Sequence, residues 1–125
     1  MRASPLYHFG VSTDADCLFC KIVAGDIPAT VVRESQRTLA FRDISPQAPT
    51  HVLVIPKAHH QDAPSLAADD PSAMVEIINE GAAVAKEEGL ESFRLVFNTG
   101  AEAGQSVFHT HAHVLGGRAL AWPPG

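Results

Sequence analysis

From His109 to His113 every second residue is an imidazole, within the run His109–Leu115 (HTHAHVL). Successive side chains of a strand point to opposite faces. The spacing therefore predicts a short strand with His109, His111 and His113 on one side and Thr110, Ala112 and Val114 on the other. The second set is apolar enough to lie on a core. Three of the chain's seven histidines on one face have no packing rationale, and imidazole suits nucleophilic, acid–base and metal chemistry near neutral pH. The run marks an active site or a metal site.

The rest of the chain supplies a scaffold for such a strand. Cys17 to about Ala24 reads as a short helix that Gly25 stops. Ala29–Glu34 and Thr38–Asp43 read as two strands of a hairpin, and His51–Ile55 as a third strand that Pro56 ends. From Asp70 the period becomes helical: Asp70 is a good N-cap and Pro71 a good first residue. Met74, Ile77, Ile78, Gly81, Ala82 and Ala85 then recur on one face, and Gly89 sits where a helix terminates. The small residues in that stripe predict close approach to a sheet. Phe93–Asn98 is a fourth strand. Three strands, a long helix and two strands, without βαβ alternation, predict an α+β domain with an antiparallel sheet of about five strands.

At 125 residues the chain is one domain. A net charge of −5 with no visible basic patch argues against a nucleic-acid polymer or an anionic membrane as partner. A single nucleotide remains compatible, since backbone N–H groups and histidines can meet its few charges. No segment approaches the roughly 20 apolar residues of a membrane span. Met1–Asp16, with Tyr7, His8, Asp14 and Asp16, does not read as a signal peptide. We expect a flexible tail over 1–16 on a cytoplasmic protein whose domain runs from 17 to 125.

Between the last two strands, Gly100, Gly104 and Ser106 can build a phosphate cradle, because glycine lets the backbone approach an anion closely. Asn98 reaches the same space. Beside co-facial imidazoles this allows two mechanisms. A histidine can attack phosphorus and form a nucleotidyl-histidine, or the histidines can hold a zinc that activates water. The cradle favours the first. Cys17-Leu18-Phe19-Cys20 is half a zinc site by spacing; two buried thiols on the first turns of a helix is the plainer reading. A disulfide fits poorly without an export signal.

QSVFHTHAHVLGGR resembles the signature of the histidine triad family, FRDISPQAPTHVLVIPKAH resembles its other hallmark segment, and the terminal WPPG resembles its nucleotide-binding branch. The likeness covers residues 17–125. It implies that His111 attacks the α-phosphorus of a purine nucleoside 5′-phosphoramidate and that water then releases the nucleoside monophosphate. His113 would bind phosphate with Asn98, Gly104, Gln105, Ser106 and Val107. His51, His109 and Ser106 would complete the catalytic set. Asp43 would meet the ribose, with Leu18, Phe19, Ile22, Phe41 and Ile44 around the base. Trp122 would reach in from the partner of a homodimer with one continuous sheet. The chemistry would need no cofactor, while Cys17, Cys20, His59 and His109 would hold a structural zinc, with His60 an alternative to His59. Dinucleoside polyphosphate hydrolysis, nucleotidyl transfer, a zinc hydrolase on the triad and a nucleotide-binding regulator are the competing implications.

Overall fold

The structure is a computed structural model and describes residues 13–125. Tyr7, His8 and most of the expected tail lie outside them. Among the described residues the helices are α1 (Leu18–Ala24), α2 (Ala63–Asp69) and α3 (Pro71–Glu87). The strands are β1 (Val31–Glu34), β2 (Thr38–Arg42), β3 (Thr50–Pro56), β4 (Phe93–Val96) and β5 (Ala112–Gly116), with a 3₁₀ turn at Ala101–Ala103. All neighbours in the sheet are antiparallel, in the order β1-β2-β3-β5-β4. The α+β expectation holds. No helix among the described residues is long and apolar enough to cross a membrane.

Both faces of the sheet are covered, and the period of two sorts its residues between them. Ala40, Val52, Val54, Ala112 and Val114 face α2 and α3, where they meet Leu66, Ala73, Ile77, Val84 and Ala85. Leu39, Phe41, Leu53 and Ile55 face the other way and pack on α1 through Phe19 and Val23. Gly81 brings α3 against the sheet: a Cβ there would lie 2.8 Å from Leu95 Cδ1. The close approach expected of the small residues is real at that position. Ile78 and Ala82, expected in the same buried stripe, are exposed, because the face that reaches the sheet runs through Ala73, Ile77, Gly81, Val84 and Ala85.

Asp70 caps α3 by accepting from the Ala73 N–H, Pro71 opens the helix, and Gly89 follows its end with φ +74°. The acidic face of α3 fastens the β1–β2 hairpin: Arg33 pairs with Glu80 and Glu87, and Arg37 with Glu76 and Asp70. The sequence reading did not contain α2. Asp62 caps it and Pro64 lies in its first turn, but Leu66 alone is buried, so no hydrophobic stripe announces it.

The largest departure concerns the histidine run. β5 begins only at Ala112, so His109, His111 and His113 do not share one strand face. β3 pairs with β5 up to Val54↔Ala112. Continuing that register would set Thr110 against Pro56, which has no N–H to extend the ladder. The chain leaves the sheet there. Thr110 instead donates its N–H and hydroxyl to the His60 carbonyl.

Candidate active site

Phe41, Leu53 and His113 are consecutive partners across β2, β3 and β5, so they present one face. His51, two residues from Leu53, shares it. This face and α1 enclose a cleft of about 710 Å³, lined by Leu18, Phe19, Ile22, Phe41, Asp43, Ile44, Gly104, Ser106, Val107, His111 and His113 among others. The volume suits a small organic ligand. One end is apolar, with Phe19 edge-on to Phe41 at 5.5 Å, while Ile44 stands almost wholly exposed at the rim. The other end carries the imidazoles. Ile27, Pro28, Ala29 and Thr30 also line the cleft; as a turn before β1 they gave no sequence signal of it.

Hydrogen-bond partners fix the imidazole tautomers, because a carbonyl only accepts and an amide N–H only donates. His111 Nδ1 lies 2.8 Å from the His109 carbonyl. Its proton is therefore on Nδ1, and Nε2 keeps a lone pair. The Gln47 N–H donates to His51 Nδ1 at 3.0 Å. His51 then carries its proton on Nε2, which donates to His113 Nδ1 at 2.9 Å. That leaves the proton of His113 on Nε2, a buried atom with no hydrogen-bond partner among the described residues. The cleft thus faces His111 with its nucleophilic nitrogen, and an unspent N–H donor of His113 is buried beside it, the two rings 5.0 Å apart.

Burial keeps these rings neutral. It lowers the pKa of His111 against the opposing pull of the His109 carbonyl and Asp43. It lowers His113 to about 4, helped by His111 and His51, and lowers His51 against the opposing charge of Asp43. Neutral imidazole is the nucleophilic form.

The loop expected to cradle phosphate spends its Gly104 and Gln105 N–H groups on the Ala101 and Gly100 carbonyls. Gly104 has φ +101° and Asn98 lies beneath it, 3.5 Å from where a Cβ would stand. Ser106 is exposed at the rim of the cleft. Gln105 does not line the cleft: its side chain is buried, accepts the Gly100 N–H and donates to the Gln61 and Val107 carbonyls. His51 likewise stands behind His113, and Trp122 is 81% exposed, away from the cleft of its own chain. Asp43 accepts the Ser45 N–H and sits 3.5 Å from His51 Nε2. Arg42, which also lines the cleft, is paired twice with Glu88 at 3.0 Å.

His109 faces away from the cleft, toward sulfur. Cys17 Sγ and Cys20 Sγ lie 3.4 and 3.6 Å from His109 Nδ1, and Cys20 Sγ lies 3.4 Å from His59 Nδ1. The two Nδ1 atoms are 3.2 Å apart. Tetrahedral zinc with its usual bond lengths sets sulfur about 3.5 Å from nitrogen and nitrogens about 3.3 Å apart. The donor set fits that ion, and His59, not His60, completes it. His109 Nε2 donates to the Pro56 carbonyl at 2.8 Å, which leaves Nδ1 as the ligating atom. Burial pushes the Cys20 thiol up to about 11, and a bound cation would supply the charge that makes it a thiolate. Asp43, His51 and His113 also cluster within 4.8 Å. There His51 Nε2 bears a proton, so that cluster is a poor metal site.

The HIT domain family matches residues 24–120. A 14 kDa zinc-binding protein of Zea mays is 47% identical over 117 residues, 90% of this chain and 90% of that protein. A protein named adenylylsulfatase HINT1, from Arabidopsis thaliana, is 43% identical over 116 residues, 90% of this chain and 79% of that one. The crystal structure of a HIT family hydrolase from Legionella pneumophila superposes with a TM-score of 0.85 at 51% identity, covering 88% of this chain and all of that one.

Proposed function

The chain belongs to the HIT domain family, and from that membership we propose that it hydrolyses purine nucleoside 5′-phosphoramidates through a covalent nucleotidyl-His111. The observation that carries this reading is the pair of tautomers. His111 offers the Nε2 lone pair and His113 the Nε2–H donor, side by side in one cleft.

In this reading the base lies against the apolar end of the cleft formed by Phe19 and Phe41, Asp43 accepts from the ribose hydroxyls, and the loop at Gly104 and Ser106 meets the phosphate. His111 Nε2 attacks the α-phosphorus while His113 Nε2–H and Ser106 hold the oxygens on which charge develops. The phosphorus–nitrogen bond breaks as the amine takes a proton, from the Ser106 hydroxyl or from water at the rim. Water then attacks phosphorus and returns a proton to Ser106 or to solvent, His111 leaves with its lone pair, and nucleoside monophosphate is released. Among the described residues of the lining the cationic side chain is Arg42, which is neutralised by Glu88.

Cys17, Cys20, His59 and His109 would hold zinc, which when bound organises their fold and stays outside the reaction. Free thiols at such a centre suit a reducing compartment, the cytoplasm. A second copy would pair along β4, an edge strand that carries exposed Phe93. Arg94 holds the terminal segment on that side through the Ala121 carbonyl, so Trp122 would reach the partner's cleft. Sedimentation equilibrium should give twice the chain mass; a monomer sinks this arrangement.

The name of the Arabidopsis relative adds a second substrate class. Adenylyl sulfate presents the same α-phosphorus, and sulfate leaves without a proton. The test is turnover of a fluorogenic adenosine 5′-phosphoramidate and of adenylyl sulfate, with denaturant quench and intact mass. A nucleotidyl adduct that His111→Asn lacks, and that persists in metal-stripped protein, supports the mechanism. Turnover with no adduct and full dependence on metal overturns it.

A further inference from the structure

The cysteine–histidine centre and the nucleotide site share more than a neighbourhood. The ligand His109 places its own carbonyl 2.8 Å from His111 Nδ1, the contact that leaves Nε2 free to attack. His60, next to the ligand His59, accepts both the N–H and the hydroxyl of Thr110 through its carbonyl, at 2.8 and 3.0 Å. The following carbonyl, of Gln61, accepts from Gln105 Nε2 at 2.8 Å, and the same amide closes the phosphate loop by accepting the Gly100 N–H. Three successive backbone bridges therefore run from the ligand-bearing segments to the nucleophile, the residue before it and the loop. Residues 57–61 are neither helix nor strand. Side-chain ligation at His59 would be their anchor.

We propose that this centre is the positioning layer of the nucleotide site: with the four ligands drawn together, His109, Thr110 and Gln105 hold His111 and the phosphate loop in register. Gln105 is then a positioning residue, which explains a buried amide spent wholly on backbone. The proposal rests on His111 as nucleophile only for its kinetic consequence. Its structural consequence, a single His111 tautomer, stands apart.

The test compares zinc-loaded protein, protein stripped by a chelator and then reloaded, His59→Ala, His59→Asp (which restores a ligand atom) and Gln105→Leu. Nitrogen-15 spectra of histidine-labelled protein, with His111 assigned by its loss in His111→Asn, report the tautomer. Loaded protein should show one Nδ1–H form. Stripping or His59→Ala should mix the two forms and lower kcat about 10- to 100-fold, as loss of an outer-sphere support does, with a smaller change in KM. Zinc and His59→Asp should each restore the single form. A single Nδ1–H form in stripped protein, with kcat within about two-fold, overturns the proposal. If stripping unfolds the chain, Gln105→Leu decides with its metal in place. AMP binding weakened about ten-fold supports the proposal, and unchanged binding overturns it. Should the loaded wild type turn over no phosphoramidate, the proposed function fails while the spectra and AMP binding still judge this inference.

Discussion

Two clusters of ligand-type side chains lie on the α1 side of the sheet, each with its donor atoms within 4.8 Å. Cys17, Cys20, His59 and His109 suit a metal; Asp43, His51 and His113 suit a proton. Burial does not separate them, since both contain buried histidines. Besides the two thiols of the first, what separates them is one backbone group apiece. The Pro56 carbonyl takes the His109 proton on Nε2 and leaves Nδ1 bare. The Gln47 N–H occupies His51 Nδ1 and keeps a proton on Nε2. A histidine cluster is thus assigned by its outer partners before its inner ones.

The sharpest way to break this contrast is to delete side chains from each cluster and count metal. Cys17→Ala with Cys20→Ala should take zinc from about one equivalent to none, whereas His51→Leu should leave it unchanged; atomic absorption on dialysed protein reads both. Metal lost equally from the two variants would mean the clusters are one site. Next in size, His51→Leu should lower kcat about 10- to 100-fold, since it removes the donor that fixes the His113 tautomer. Steady-state rates equal to wild type would show that His113 needs no such support.

Acidity tests the burial that both clusters share. His109 and His113 are each held at about 4, against 6.5 when unperturbed, chiefly by desolvation. In metal-free protein the unfolded chain takes up protons below 6.5 that the native chain refuses. The two rings should therefore lower stability steadily as pH drops from 6.5 toward 4 and add no further loss below, where the native rings protonate too. Urea midpoints across that window measure it, and a flat series contradicts desolvation as the cause. The smallest effect is expected between the clusters and the long helix. Arg42→Met breaks the paired contacts to Glu88, which are partly exposed, and should cost about 0.5–1 kcal/mol in a denaturant melt with metal content intact.

Much of the fold was legible because it depends on local rules. The apolar, β-branched run of His51–Ile55, the Asp70-Pro71 start and the glycine after Glu88 each act over a few residues. The cleft lining was legible through resemblance, down to Asp43 and Ser106. The orientation of the histidines was not. A period of two predicted one face for all three, but strand geometry needs a partner able to continue the ladder, and Pro56 is not one. The backbone donors and acceptors that choose the tautomers, at Gln47, Pro56 and His109, were illegible for a related reason. A main-chain amide is the same at every residue, so only its place in space gives it a role. Gln105 shows the converse: its position beside the glycines was readable, its inward turn toward Gln61 was not.

Pro56 ends a sheet, and that ending has a use. An ordinary residue there could have let β5 lengthen by two rungs, giving a tidier ladder with His109 and His111 held flat along it. Instead the strand stops short, and the freed main chain swings one imidazole back to the sulfurs while aiming the next at the cleft. A single missing hydrogen atom on the backbone therefore works as a fork in the chain, sending neighbouring copies of the same side chain to separate trades.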